Sequence, residues 1–138
     1  MEIKMYDELP EAAKAIRTSV FMEEQGFKNE FDATDHNATH IVIWENDKPV
    51  ATCRFFYSDA KSCFAIGRLA VLKEYRGKHY GAILIDNAER EIRNQGGLHV
   101  GLSAQCKASD FYKKQGYQIH GEPHPVEGCP HVWMCKDL

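Results

Sequence analysis

Leu69-Ala70-Val71-Leu72-Lys73-Glu74-Tyr75-Arg76-Gly77-Lys78-His79-Tyr80-Gly81-Ala82 carries an apolar, strand-like run through a basic, glycine-bearing turn and into a periodic helix. Beyond Gly81 the apolar residues Leu84, Ile85, Ala88 and Ile92 share one helical face, leaving Asp86, Glu89, Arg90 and Arg93 for water. The helix therefore opens at the turn. Its first backbone N–H groups lack internal partners and lie at the positive end of the helix dipole, so an anion there is both hydrogen-bonded and charge-compensated. Gly77 and Gly81 allow close approach. The turn is not a P-loop, because no Lys-Ser or Lys-Thr pair follows Gly81, and it lacks the G-x-G-x-x-G dinucleotide pattern.

Downstream, Ala108-Ser109-Asp110-Phe111-Tyr112-Lys113-Lys114-Gln115-Gly116-Tyr117 reads as a short helix with cations in its last turn, a glycine stop and an aromatic-led strand beyond. Arg76 to Gly81 and Ala108 to Tyr117 together resemble the two signature segments of the GNAT superfamily of acyl-CoA N-acyltransferases. The first follows Q/R-x-x-G-x-G/A at Arg76 and Gly81 but has His79 at the middle glycine; the second follows A-x-x-F-Y-x-x-x-G-F/Y throughout. Arg17 to Gln25, Asp35, His40, Gly67-Arg68, Ala104-Gln105 and Gly128 to His131 are similar to the small bacterial ElaA-like branch of that superfamily.

The resemblance implies an α+β GNAT-like fold, with a mixed, mostly antiparallel sheet, a splayed central strand pair and flanking helices. It implies acetyl-CoA as co-substrate. The main chain of Leu69, Ala70 and Val71 would pair with the pantetheine arm as an added strand does. The pyrophosphate would lie on the amides of Gly77, Lys78, His79, Tyr80, Gly81 and Ala82, with Arg76 and Lys78 as charge partners. Tyr112 takes the superfamily's role of proton donor to the departing thiolate, a transfer helped by the closeness of phenol and thiol acidities. An amine attacks only when neutral, so a base is also required. Glu24, Glu30, Asp35, His36, His40 and His131 are all candidates, with Glu24 and His131 foremost because they stand in ElaA-like segments. The acceptor is a small-molecule or peptide amine, and dimerisation rests on the superfamily's habit alone.

Composition sets the remaining bounds. A chain of 138 residues with 43% hydrophobic residues suits one domain, 1–138, with a self-sufficient core. A net charge of -3 argues against a nucleic-acid partner. No run reaches membrane-span length and the N-terminus lacks a secretory h-region, so the expectation is a cytoplasmic protein with no membrane partner. The five cysteines, odd in number and irregular in spacing, read as free thiols. Lys73, Arg76 and Lys78 before the first motif's helix, with Lys107, Lys113 and Lys114 around the second, gather positive charge where a phosphorylated cofactor would lie.

Along the chain, Ile3 to Tyr6 reads as a strand, and a helix follows Glu8 with Pro10 in its first turn and Ala13, Ile16, Val20 and Phe21 on one side. Gly26 to Ala38 has no steady period and reads as a mobile loop near the substrate. Thr39 to Glu45 and Val50 to Tyr57 form a hairpin through Asn46 to Pro49, and Phe64 to Val71 leads into the anion turn. Further strands are expected at Val100 to Ser103, Tyr117 to His120 and Val132 to Lys136. Two rivals stand beside the enzyme: an idle acyl-CoA sensor, suggested by His79, and a zinc module on His120, His124, Cys129, His131 and Cys135, which has no C-x-x-C pair.

Overall fold

The computed structural model, which describes residues 1–138, builds its sheet outward from a tight hairpin. Strands β2 (Thr39–Glu45) and β3 (Lys48–Ser58) are joined by Asn46 and Asp47, at φ 49° and 66°. Two successive left-handed residues make the turn whose twist matches that of paired strands, and Asn and Asp tolerate this conformation. Lys48 and Pro49, expected in the turn, already belong to β3, where Pro49 lies opposite Trp44. Strand β1 (Glu2–Tyr6) pairs antiparallel with β2, and β4 (Cys63–Val71) pairs antiparallel with β3.

Both faces of β2 are covered. Ile41 and Ile43 pack with Leu84, Ile85, Ala88 and Ile92 of helix α2 (Tyr80–Asn94), whereas Val42 packs with Ala13, Ile16, Val20 and Phe21. Alternation along a strand thus places the helices on opposite faces of the sheet. Helix α1 (Glu11–Arg17) starts one residue after Pro10, which caps it instead of lying in its first turn, and continues as a wider π-helical segment over Thr18–Glu24.

After α2 the chain enters β5 (His99–Gln105), the one strand parallel to its neighbour. The pairing of β4 with β5 is confined to Phe64↔Val100 and Ala65↔Gly101, while β4 stays paired with β3 as far as Val71. The two central strands therefore splay, and from Ile66 onward β4 has no strand partner on that edge. Helix α3 (Ser109–Lys114), β6 (Gln118–Ile119), β7 (His124–Val126) and β8 (Cys129–Asp137) complete the chain, with β8 antiparallel to β5. The sheet thus has eight strands, seven of them in the order β1-β2-β3-β4-β5-β8-β6, and β7 pairs with β8. Strand β7 escaped the sequence reading because three residues are too few to show alternation.

Two expectations are corrected. Glu89 does not face water: it is 4% exposed and accepts hydrogen bonds from Tyr117 Oη at 2.7 Å and Lys136 Nζ at 3.0 Å, tying α2 to the C-terminal strands. Gly26 to Ala38 is not an unstructured loop. Asp32 and Asp35 form a reciprocal capping box around a short 3-10 turn at Ala33–His36, and buried ion pairs hold the segment to the sheet.

Candidate active site

The splay leaves an open groove of about 540 Å³, lined by Leu69, Ala70 and Val71 along β4 and then by Arg76, Gly77, His79, Tyr80, Gly81 and Ala82. Lys78 stands outside this lining, with its Nζ 5.1 Å from the Tyr75 ring centre. Gly77 and His79 both take left-handed backbone, at φ 81° and 65°. His79 is the residue before α2 and supplies the carbonyl that accepts the Ile83 N–H at 3.1 Å. The N–H groups of Tyr80, Gly81 and Ala82 therefore precede the first intrahelical bond, and no acidic residue occupies that first turn. Gly81 has a second reason to be glycine: a Cβ there would stand 3.0 Å from Cζ of Phe111.

Arg76 does not point free charge into the groove. Its Nη1 and Nη2 each donate to a different Glu24 oxygen at 2.7 Å, and its Nε donates to the Val71 carbonyl at 3.0 Å. This fork pins the end of the π-helical segment to the end of β4. The hydrogen bond from Arg76 pulls the Glu24 carboxyl below its ordinary range, outweighing partial burial. That is the wrong direction for a group meant to collect a proton near neutral pH. Glu24 thus acts as a strut between these two elements.

Beside the groove lies a cavity of about 230 Å³ whose wall includes Tyr112, His131, Glu30 and Arg68; Leu69 and Phe111 line both spaces. Tyr112 packs edge-on against Phe111 and Tyr117, with ring centres 5.0 and 6.3 Å away. Burial, with a smaller contribution from the Cys53 thiol, raises the Tyr112 phenol above its ordinary range. The group stays protonated and able to donate across the physiological range. His131 Nδ1 lies 2.9 Å from the Cys129 carbonyl oxygen. A carbonyl can only accept, so Nδ1 carries the hydrogen and Nε2 is left without a protein partner.

Of the other base candidates, His40, His36 and Asp35 are occupied or misplaced, whereas Glu30 shares the cavity wall with Tyr112 and His131. His40 Nε2 bonds the Asp35 carbonyl at 2.9 Å inside the protein, and exposed His36 lines neither space. Asp35 accepts from Arg17 Nη1 and Arg54 Nη1, both at 2.8 Å. Burial alone would raise its carboxyl, but these two arginines outweigh burial and hold it well below the usual carboxylate range. Glu30 behaves oppositely: desolvation outweighs Arg68 and Arg17, and its carboxyl is raised. Three arginines (17, 54 and 68) thus meet three acids (30, 32 and 35) under the segment expected to be mobile.

One polar bridge had no role in the sequence reading. Gln105 Nε2 of β5 donates to Gln25 Oε1 at 2.8 Å, and Gln25 lines the groove, the cavity and a third recess that holds Glu24. Gln25, Arg68 and Gln105 had been noted only as parts of ElaA-like segments. The zinc rival finds no support, since no three His, Cys, Asp or Glu side chains are placed to hold one ion.

Residues 7–138 match the family model described as "Acetyltransferase (GNAT) domain". The chain is 34% identical over 138 residues to the uncharacterized protein YyaT of Bacillus subtilis (strain 168), covering 95% of this chain and 90% of that one. It superposes on the crystal structure of Escherichia coli ElaA with a TM-score of 0.87, 28% identity and 98% of each chain covered. An aminoglycoside 6'-N-acetyltransferase complexed with coenzyme A shares the fold, with a TM-score of 0.76 at 17% identity over 99% of this chain and 97% of that one. The chain belongs to the GNAT acetyltransferase family.

Proposed function

From this membership we propose that the protein moves the acetyl group of acetyl-CoA onto a primary amine by direct attack in a ternary complex. The observation carrying the proposal is the continuity of two features: a strand edge freed by the splay at Ala65 and a helix start with unpaired N–H groups at Tyr80 to Ala82. A long ligand with an amide-bearing arm and a phosphate end fits both at once. When bound, acetyl-CoA supplies the activated thioester on which the amine acts.

His131 Nε2 accepts the amine's proton, and Tyr112 donates its own to the departing sulfur. The raised phenol weakens Tyr112 as an acid in water. In the same dry pocket a thiolate is also desolvated and more basic, so the match of acidities is kept. The seat at Gly77 to Ala82 supplies hydrogen bonds and dipole without needing Arg76 as a free cation. Leu69 and Phe111, shared by groove and cavity, support a thioester position where the two spaces meet.

The test is calorimetry with acetyl-CoA followed by a screen of amines for release of free coenzyme A. Tyr112→Phe keeps the ring and its packing, and kcat should fall about a hundredfold to ten-thousandfold while acetyl-CoA affinity barely moves. A fall of less than about threefold would return Tyr112 to being an ordinary packed aromatic. Binding without turnover on any amine would identify the idle sensor instead.

A further inference from the structure

We infer that the cavity beside Tyr112 and His131 receives a zwitterionic amine of the α-amino-acid class, with its carboxylate on Arg68 and its ammonium on Glu30. The inference rests on the reading of the chain as an N-acetyltransferase and specifies its acceptor. Arg68 holds a backbone φ of 53° where the pairing of β3 with β4 shifts register, a conformation that a long side chain rarely adopts. Such strain persists where the surrounding structure demands the residue's placement.

The guanidinium is fixed on one side only. Nε and Nη2 donate to the Glu30 carbonyl at 3.2 and 3.1 Å, and Nη2 also reaches Asp32 Oδ2 at 3.2 Å. Nη1 donates to no protein acceptor, and the half-buried side chain lines the cavity. Its neighbour Glu30 is 5% exposed and lines the same wall. Glu30 Oε2 takes Arg17 Nε at 2.8 Å and lies 3.0 Å from Arg68 Nε, whereas Oε1 accepts no hydrogen bond from the protein. One carboxylate oxygen of Glu30 and one guanidinium nitrogen of Arg68, both on residues that line the cavity, therefore stand without a protein partner.

An α-amino acid carries its ammonium and carboxylate one carbon apart, in the complementary sense. A net-neutral ligand meeting a net-neutral pair leaves neither partner with an uncompensated buried charge, and each contact is a charge-assisted hydrogen bond. A polycation fits poorly. The other carboxylate in the wall, Glu127, already accepts the N–H groups of Lys28 and Asn29 at 2.9 and 3.1 Å, one on each oxygen, so a second ammonium would have to share it with them. The volume of about 230 Å³ also lies below the range of roughly 300–1,000 Å³ usual for drug-sized ligands. Because Leu69 follows Arg68 and lines both spaces, an amine held here adjoins the groove in which the thioester is placed.

The experiment presents acetyl-CoA with the common α-amino acids, each beside its own carboxamide, and with spermidine, and measures release of free coenzyme A. At least one amino acid should exceed its carboxamide by about tenfold or more in kcat/KM. Arg68→Gln, and Arg68→Lys in case the former fails to fold, should erase most of that ratio, which is read within each variant so that a general loss of activity cancels. A carboxamide as good as its acid, or spermidine better than every amino acid, overturns the inference. A second readout separates it from the reading it rests on: thermal stabilisation of the protein saturated with coenzyme A by each compound. Selective stabilisation by an amino acid without turnover keeps the recognition and removes the acetyl transfer. No selectivity in either measurement removes the inference.

Discussion

Between Ile66 and Ala82 the chain leaves main-chain groups unpaired, along one strand edge and at one helix start. Between Gly26 and Ala38 the backbone is instead held down by side chains from α1, β3 and β4 that meet the segment's own acids. The first region is assembled from consecutive residues and needs little but glycine-like torsions and a free edge. The second exists only after distant charges have converged. The cofactor side should therefore fail residue by residue under mutation, whereas the loop side should fail as a unit.

The largest effect is expected at the centre of the charge cluster. Asp35 bridges Arg17 and Arg54; with Asp35→Asn, Arg17 keeps only Glu30 and Arg54 only Asp32 as charged partners, so the variant should cost a large share of the about 3–5 kcal/mol that breaking a buried ion pair costs, measured by urea unfolding. The acid limb of stability should change with it. The Asp35 and Asp32 carboxyls are held below their unfolded values because arginine hydrogen bonds outweigh burial. Their contribution is complete above the unfolded value of about 3.9 and disappears as pH falls through the lower folded values. Glu30 has the opposite sign: its raised carboxyl means that ionising it costs stability above its folded value. The parent should thus lose stability steeply below about pH 4, and Asp35→Asn should flatten much of that loss. An unchanged acid limb in the variant would show that the cluster does not act as a unit.

The same contrast explains what the sequence made legible. Leu84, Ile85, Ala88 and Ile92 announced the buried face of α2 by spacing, and Asn46-Asp47 announced the hairpin by turn chemistry; both signals are local. Arg17 and Arg68 read only as parts of ElaA-like segments, and Arg54 carries no reading at all, until the fold brings them against Glu30, Asp32 and Asp35, because no periodicity encodes a contact between distant parts of the chain. Glu89 misled for a related reason. Helical spacing gave it a polar position, but its partners Tyr117 and Lys136 come from beyond the next helix. At the site, Tyr112 and His131 line one cavity, whereas Glu24 was read without the Arg76 fork that occupies it.

A middle-sized effect separates two glycines in the backbone-built region. At Gly81 a Cβ would lie 3.0 Å from Phe111 Cζ, so Gly81→Ala forces a ring that lines both groove and cavity to move. Overpacking of this kind costs about 1–3 kcal/mol, and Phe111→Leu introduced with it should recover part of the loss. At Gly77 nothing stands within 4 Å, and only the φ of 81° resists a side chain, so Gly77→Ala should cost less, about 1–2 kcal/mol. Thermal melts of both variants with and without acetyl-CoA would check the order. Failure of Phe111→Leu to compensate would refute the steric account of Gly81.

The smallest effect falls on His79, where the motif expects glycine. The backbone keeps what that glycine provides, a left-handed φ of 65° immediately before α2, and the imidazole makes no hydrogen bond within the protein. Left-handed backbone costs an ordinary side chain about 1–2 kcal/mol, while glycine loses about 0.5–1 kcal/mol to the greater freedom of the unfolded chain. His79→Gly should therefore leave stability unchanged or raise it by up to about 1 kcal/mol. The helix start itself should not soften, because His79 precedes the helix rather than opening it. Acetyl-CoA affinity should stay within a few-fold, since the proposed seat takes its hydrogen bonds from Tyr80, Gly81 and Ala82 rather than from the ring. Paired calorimetry on parent and variant decides the point: a loss above about tenfold, or roughly 1.4 kcal/mol, would mean that the imidazole itself touches phosphate and that the seat is not built from backbone alone.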